Sequence, residues 1–202
     1  MRSFEVTGEM PRNAAATRAR IYAAAYALFY RKGFQRTSLD DIAARAAVTK
    51  RTLYYHVRSK DDLAGAMLAH QHGFVLVEMA RWMGAATSAA KIVDQLFDSV
   101  ARWMAAAGKR HWTGSGFTRM AMELADLPGH PARVATRRHK SAVQAELARR
   151  LAACGTRNAD DAAAQLQMLL EGAMILMLIH GDARYAKLAA AAARRLVMRH
   201  RP

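Results

Sequence analysis

Residues 37–63, TSLDDIAARAAVTKRTLYYHVRSKDDL, decide the fold of the N-terminal part of the chain. Ser38-x-x-Asp41 is a capping-box pattern, because a hydroxyl and a carboxylate three residues apart can satisfy backbone N–H groups at the start of a helix. Ser59-x-x-Asp62 repeats this pattern at the end of the stretch. The segment therefore predicts short helices in quick succession, followed by the start of a longer one.

The second short helix, which Thr49 can cap, would carry polar and aromatic side chains outward. Leu53 is its core residue, so the residues offset from it face solvent. They are Lys50, Arg51, Tyr54 and Tyr55. A major groove admits one α-helix and displays a distinguishable pattern of donors and acceptors for each base pair. The pattern favours DNA binding, although a charged helix face taken alone is more often simply solvated, and Tyr54 taken alone could be a core residue.

The charge of the chain points to a polyanionic partner. The 202 residues have a formal net charge of +15 and a pI near 10.9. Residues 1–60 contain twelve basic and four acidic side chains, which is over half of the excess. Nucleic acid and anionic membrane surfaces both fit this charge.

The rest of the chain shows helical periodicity and no alternation of strand length, so we expect an all-α fold of about nine helices. Asn158-x-x-Asp161 and Asp182 are expected to cap the last two helices. The inner face of the fourth helix is expected to hold Leu63, Met67, His70 and Phe74. The predicted organisation is a disordered basic tail (residues 1–12), a helix-turn-helix DNA-binding domain (13–62) and a helical effector-binding and dimerisation domain (63–202).

Several features predict a cytoplasmic protein with no membrane partner. Cys154 is the only cysteine, so no internal disulfide can form. Residues 1–10 lack the apolar core of a signal peptide. The most apolar run, Met168–Ile179, is interrupted by Glu171 and is expected to be too short to span a bilayer.

No pattern of catalytic or metal-binding residues is recognisable. His130, His139 and His180 do not have a compact ligand spacing. Ser115 lies between two glycines but lacks the strand-to-helix setting of a nucleophile elbow. We therefore expect a protein that is not an enzyme and has no metal site and no cofactor.

Residues 20–63, RIYAAAYALFYRKGFQRTSLDDIAARAAVTKRTLYYHVRSKDDL, resemble the N-terminal DNA-binding domain of TetR-type transcriptional regulators. The shared features run from the Leu-Phe and Gly-Phe pairs through Thr-Ser, Asp-Ile-Ala and Thr-Leu-Tyr to Ser-Lys-Asp-x-Leu. The resemblance implies a three-helix DNA-binding head. It also implies a fourth helix that leads into an all-α C-terminal domain, which dimerises and usually binds a small effector.

The resemblance also implies roles for particular residues. Candidates for phosphate contact are Thr37, Tyr54 and Lys60; candidates for base-edge or groove contact are Thr49, Lys50, Arg51, Thr52 and Tyr55. His56 fits the aromatic-His end of the family's recognition helix. The sequence departs from the family at Ala47, where Gly is usual, at Arg51, where a small residue is common, and at Val57, where Phe is common. Ala47 indicates either a turn without a strong need for positive φ or one with modest strain.

The C-terminal part, residues 114–155 and LQMLLEGAMIL (166–176), resembles one broad group of these regulators. This implies that the last two helices pack against their symmetry mates. The expected dimer seam contains Leu166, Leu169, Leu170, Gly172, Ala173 and Met177, with an ordinary buried helix as the alternative. The expected effector pocket contains Trp82, Met83, Phe97, Trp103, Met104, Trp112, Phe117, Met120 and Met174, although core packing explains each of them taken singly.

The resulting expectation is a homodimeric regulator, most simply a repressor, that binds a palindromic operator in double-stranded DNA. A small apolar or aromatic effector would release it by moving the fourth helix. Two other classes stay open. The charge alone would suit a sequence-nonspecific, nucleoid-type DNA-binding protein, and a C-terminal cavity would suit a helical enzyme.

Overall fold

The computed structural model describes residues 12–108 and 111–199 of the chain. Of the predicted basic tail, residues 1–11 lie outside the described residues, and Arg12 already belongs to the first helix. The expected all-α fold is confirmed, because the described residues form helices and no strands. The nine helices are α1 (Arg12–Lys32), α2 (Leu39–Arg45), α3 (Lys50–His56), α4 (Lys60–Met83), α5 (Ala89–Ala107), α6 (Gly116–Glu123), α7 (Pro131–Ala153), α8 (Ala159–His180) and α9 (Arg184–Arg199).

The helix starts in the N-terminal part follow the predicted caps. The Ser38 hydroxyl accepts a hydrogen bond from the Asp41 amide, and the Asp41 carboxylate accepts one from the Ser38 amide, which completes the capping box of α2. Thr49 caps α3 by accepting a hydrogen bond from the Thr52 amide. Ser59 caps α4 in the same way. These caps divide residues 37–63 where the sequence predicted.

Caps in the C-terminal part agree less well. Asp182 accepts a hydrogen bond from the Arg184 amide at the start of α9, as expected. Asn158 does stand at the N-cap of α8, but its side chain makes no capping hydrogen bond. The prediction for Asn158 was therefore wrong in its chemistry. The reason is conformational, because Asn158 has a left-handed backbone (φ +47°, ψ +50°) rather than the extended one of a side-chain cap.

A first hydrophobic core joins the head, α1–α3, to its neighbours. Ile21, Ile42 and Leu53 come from the three head helices and are buried. Met67 of α4 and Phe117 of α6 pack into the same core. The core of the head thus continues past residue 62, and the predicted domain boundary there stays a prediction.

The inner face of α4 differs in part from expectation. Leu63 and Met67 are buried as predicted. His70 and Phe74 are exposed, which corrects the prediction that they face inward. His70 contacts the rings of Tyr22 and Phe74 at centroid distances of 5.4 and 5.1 Å, but no further helix encloses it.

A second core fills the body of the protein, α4–α9. Helix α8 packs against α7 and α9, α9 packs against α5, and α7 packs against α4. Leu96 of α5, Leu147 of α7 and Leu166 of α8 are fully buried in this core. The layers place α4 and α7 beside the head, and α8 and α9 on the far side of α7 and α5.

Within the described residues, α8 is the one helix long and apolar enough to cross a membrane by length and composition. The expectation that its apolar run is too short is therefore corrected, since the helix has 22 residues. A core helix passes the same test. Helix α8 contributes Leu166 and Met177 to the second core, and its Glu171 forms an ion pair with Lys140 of α7, which together favour a core helix.

Candidate DNA interface and ligand cavity

One side of helix α3 is packed against the first core, and the opposite side is exposed to solvent. Leu53 is only 1% exposed and anchors the helix in the first core. Tyr54 and Tyr55, next to it, are 57% and 84% exposed. Lys50 and Arg51 are exposed as well. The predicted outward face therefore exists, and its four side chains lie on one accessible helix surface.

The N-terminal end of α3 makes one contact within its own first turn and one with α2. The Thr49 and Thr52 hydroxyls are hydrogen-bonded to each other at 2.9 Å. The Lys50 ammonium lies 2.7 Å from the Asp40 carboxylate of α2. Because this ion pair is solvent-exposed, it contributes little to stability and leaves Lys50 able to exchange Asp40 for a phosphate. His56 is half-buried at the other end of the helix, with its ring edge-on to Tyr55.

Two predicted phosphate contacts have internal roles in the free protein. Thr37 is 1% exposed, and its hydroxyl donates to the Gly33 carbonyl at 2.7 Å. Lys60 donates to the carbonyls of Phe34 and Thr37 at 3.2 Å and lies over the Phe34 ring at 4.3 Å. Its burial and this hydrogen bond give Thr37 a structural role in the loop between α1 and α2. Lys60 is half-buried and chiefly holds the loop between α1 and α2.

The turn between α2 and α3 contains a residue in an uncommon conformation. Ala47 has φ +52°, a region that residues with a β-carbon seldom adopt. Of the two readings of Ala47, the one with backbone strain is therefore the correct one. This residue lies in the turn between the two helices of the helix-turn-helix motif.

A cavity of about 340 Å³, partly open to solvent, lies between α4, α5, α6, α7 and α8 of the body, and Tyr26 of α1 also lines it. Of the nine predicted pocket residues, four line it: Trp82, Trp103, Phe117 and Met174. The prediction is wrong for the other five, because their side chains are buried in the two hydrophobic cores. These residues are Met83, Phe97, Met104, Trp112 and Met120.

Several wall residues were missed by the sequence reasoning. Tyr26 enters from α1, Glu78 from α4, and His139 and Lys140 from α7. Glu171 of α8 was the one with a visible signal, since it is a carboxylate inside an otherwise apolar run. For the others the sequence carried no signal, because their convergence depends on how separate helices pack.

Burial and nearby ionisable groups shift the pKa values of two residues in the cavity wall, His139 and Tyr26. Burial, followed by the nearby Lys140 and His72, lowers the pKa of His139 to about 3, so this ring is neutral near pH 7. His139 stacks on Phe117 at 3.7 Å, and its Nδ1 lies 3.1 Å from Nδ1 of His72. Burial also raises the pKa of Tyr26, with a smaller effect from Tyr30, and keeps its hydroxyl protonated.

Helix α6 connects the cavity to the head. The Glu123 carboxylate accepts a hydrogen bond from the Phe34 amide at 2.7 Å, and Arg119 donates to the Tyr30 carbonyl at 2.8 Å. Gly33 has φ +93°, and a β-carbon there would lie 2.8 Å from Glu123. The loop after α1 is thus seated closely on the helix that also supplies Phe117 to the cavity wall.

The outer face of α8 and α9 differs from the predicted dimer seam. Four of the six predicted residues face the protomer's own core, namely Leu166, Leu170, Ala173 and Met177. The prediction that these four residues form a dimer seam is therefore wrong, because α7 and α9 pack against the side of α8 on which they lie. Leu169 is half-buried and Gly172 is exposed, with no atom within 4 Å of where a β-carbon would stand. The exposed apolar side chains of these two helices are Met168, Leu176, Leu178, Ile179, Leu188 and Met198.

A three-helix head with an exposed α3, carried on a helical body, defines the class of helix-turn-helix transcriptional regulators. The family model described as bacterial regulatory proteins, tetR family, matches residues 21–67. The match covers the head, so residues 21–67 form a DNA-binding domain similar to that of the TetR family.

Among curated proteins, the HTH-type transcriptional regulator TtgR of Pseudomonas putida is 45% identical over 56 residues, which is 28% of this chain and 27% of that protein. The probable HTH-type transcriptional regulator ArpR, also of Pseudomonas putida, matches with the same identity and coverage. The chain thus matches about a quarter of the length of these relatives, 27% in each case.

Solved structures extend the likeness to more than nine tenths of the chain. A TetR-family transcriptional regulator from Streptomyces coelicolor has a TM-score of 0.78 and 26% identity, and the match covers 93% of this chain and 97% of that one. A TetR regulator from Streptomyces avermitilis has a TM-score of 0.78 and 25% identity, with 91% and 97% covered. A TetR-family regulator from Cytophaga hutchinsonii, with a TM-score of 0.79 and 17% identity over 96% and 98%, is similar in fold.

Proposed function

We propose that this protein is a dimeric, cytoplasmic repressor that binds a palindromic operator and is released by a small aromatic or apolar effector. It acts by binding alone and not as an enzyme. The observation that carries the proposal is the outward face of α3, where Lys50, Arg51, Tyr54 and Tyr55 stand exposed on a helix that Leu53 fixes from below.

Each exposed residue of α3 suits a groove or backbone contact. Arg51 has no ion pair among the described residues, and its guanidinium can donate to O6 and N7 of guanine together. Tyr55 can reach base edges or thymine methyl groups, and Tyr54 can donate its hydroxyl to a phosphate. Lys50 would exchange its exposed partner Asp40 for DNA. Thr49 and Thr52 lie at the N-terminal end of α3, the end that approaches base edges in this motif.

Dimerisation would use the exposed face of α8 and α9. Met168 and Ile179 are each 66% exposed, and Gly172 between them allows another helix backbone to approach. A two-fold axis through this face would pair the same surface of each copy. Two heads would then read half-sites whose centres lie roughly 34–36 Å apart, or a multiple of that distance.

Effector release would operate through α6. This helix places Phe117 in the cavity wall, Arg119 against the last turn of α1 and Glu123 against the loop after α1. A ligand that displaces Phe117 would therefore shift the contact between body and head, together with α4. The ligand lowers operator affinity only to the extent that it binds the DNA-incompetent state more tightly than the DNA-binding state. This coupling free energy is commonly about 1–3 kcal/mol.

The test is selection of bound fragments from the source genome with purified full-length protein at physiological salt and excess competitor DNA. We expect recovery of one palindromic sequence. Recovery of no preferred sequence, with binding that collapses steeply as salt rises, would refute the proposal in favour of nonspecific binding.

A further inference from the structure

The cavity combines an aromatic chamber with a polar end. Trp82, Trp103 and Phe117 form much of the chamber, and the rings of Trp82 and Trp103 lie 6.3 Å apart. Such walls favour a flat aromatic ligand, which gains both apolar contact and ring stacking. They do not decide what charge or polar group that ligand carries.

The carboxylates in the walls already have donors at both oxygens. Glu78 accepts hydrogen bonds from Arg81 and from the Trp82 ring N–H. Glu171 accepts hydrogen bonds from Lys140 and from the Thr118 hydroxyl at its two oxygens. Neither carboxylate is therefore an unpaired negative charge that would attract a cationic ligand.

Three donor groups at the polar end have hydrogens without an acceptor among the described residues. Lys140 donates to Glu171 and to Ser115, which leaves one of its three N–H groups. The Ser115 oxygen accepts from Lys140 and from the Thr118 amide, so its own hydrogen is unused. The Tyr26 hydroxyl is protonated and makes no hydrogen bond within the described part of the chain.

These donors lie close to one another. The Lys140 ammonium is 3.4 Å from the Ser115 oxygen. A β-carbon on Gly116, the residue after Ser115, would lie 3.6 Å from the Tyr26 hydroxyl. Ser115 and Gly116 also begin α6, whose positive dipole end favours a negative charge at this point. The polar end is therefore a cluster of hydrogen-bond donors in which the Lys140 ammonium is paired with the Glu171 carboxylate.

We propose that the cavity takes an aromatic carboxylate, with its rings between Trp82, Trp103 and Phe117 and its carboxylate at Lys140, Ser115 and Tyr26. This inference rests on the proposed function only in treating the cavity as the effector site. Lys140 would then bridge Glu171 and the ligand carboxylate. Glu171 sets the strength of the site, because it neutralises part of the lysine charge.

The first test is calorimetric titration of the full-length protein with three probes of one shape: 2-naphthoate, 2-naphthamide and 2-naphthylmethylammonium. We expect 2-naphthoate to bind about tenfold or more tightly than either of the others, since it alone gains charge-assisted hydrogen bonds. Tighter or equal binding of the ammonium would overturn the proposal. Equal binding of the amide, or binding of none of the three, would overturn it too.

Two variants with opposite expected effects separate recognition from structure. Lys140→Met removes the ammonium that would bind the ligand carboxylate. It should weaken the binding of 2-naphthoate by about tenfold or more, with little change in the binding of 2-naphthamide. Glu171→Gln removes the neutralising charge and should strengthen 2-naphthoate. A purely structural ion pair would instead weaken binding in both variants. Arg137→Met, an exposed charge loss on the same helix, serves as the matched control and should leave the affinity unchanged.

Operator binding is measured separately with the same probes. If 2-naphthoate binds as expected but does not weaken operator binding, the ligand class stands and the proposed coupling to DNA fails. If the protein binds no operator at all, the calorimetric result still decides the ligand class. The two proposals can therefore fail independently.

Discussion

The head and the body of this protein are both helical, but the residues that shape them act over different distances along the chain. In the head, Ser38 and Thr49 fix the helix starts through hydrogen bonds to residues three positions away. In the body, α4 meets α7 and α5 meets α9 across long stretches of sequence. Local hydrogen bonds therefore fix the helix starts of the head, whereas packing between distant helices determines the arrangement of the body.

The two regions also use their surfaces differently. The exposed face of α3 is polar and aromatic, with Arg51 and Tyr55 accessible. The exposed face of α8 is apolar, with Met168 and Ile179 accessible. A polar face suits a hydrated, charged partner such as DNA, whereas an apolar face suits a second protein surface.

The largest expected effect concerns the anchoring of α3. Leu53→Ala should lower the free energy of unfolding by about 2–5 kcal/mol, because it leaves a cavity in the first core. Tyr55→Ala, two residues further, should change it by less than about 0.5 kcal/mol, because the side chain is exposed. Urea titrations followed by circular dichroism measure both. Similar losses in the two variants would mean that α3 is not held by Leu53.

The apolar face of the body provides the second comparison. Ile179→Asp should weaken dimerisation by roughly 3 kcal/mol, or about a hundredfold, because a two-fold interface would bury the new carboxylate twice. Val77→Asp is the control, since Val77 is an exposed apolar residue on α4. Sedimentation velocity over a concentration series gives the dissociation constants. A dimer that persists in the Ile179 variant would show that this face is not the interface.

These differences explain how far the sequence could predict the structure. The caps at Ser38, Thr49 and Ser59 were predictable, because each depends on a donor and an acceptor three residues apart. The outward face of α3 followed from one buried leucine and the helical period. The sequence predicted the helices of the body as well, since apolar residues recur along them at helical spacing.

The side of each body helix that faces the core was harder to predict. Helix α8 is apolar on most sides, so its periodicity did not reveal that Leu166 and Met177 face inward while Met168 and Ile179 face outward. Phe97 and Met104 were wrongly predicted to line the cavity for a different reason: both lie on the apolar side of α5, and the sequence does not distinguish apolar residues that fill the core from those that border a cavity. The polar cavity residues were missed because Tyr26 of α1 and Lys140 of α7 line one cavity only after the head has packed against the body.

Readout by α3 is expected to depend on base sequence. Arg51→Ala should cost about 1–3 kcal/mol of binding free energy, confined to operators that keep the base pair it contacts. Lys187→Ala, an equal charge loss on α9, should leave affinity nearly unchanged. Titrations against operators that each carry one changed base pair measure the difference. A uniform loss on every DNA would instead place Arg51 on the phosphate backbone.

Protonation of His139 should make the body sensitive to acid. Its pKa is lowered to about 3, chiefly by burial, so the unfolded chain binds the proton more readily. The stabilising effect of a neutral His139 is complete above pH about 6.5 and is lost as the pH falls toward 3. Between pH 7.5 and 5.5 the loss is about 1.5 kcal/mol. This loss of stability should be absent from the His139→Gln variant but present in the His56→Gln variant. Urea titrations at each pH measure the free energy of unfolding of both variants.

The smallest expected effect concerns Ala47, in the turn between α2 and α3. Ala47 has φ +52°, a conformation that glycine adopts without strain, so Ala47→Gly should raise the free energy of unfolding by about 1 kcal/mol. Ala44→Gly, within α2, should lower it by about 0.5–1 kcal/mol, because glycine there only loses helix propensity. Thermal unfolding of the two variants compares one substitution in two backbone conformations. Destabilisation by both would mean that the turn relaxes around Ala47, and that long-range packing also determines this part of the head.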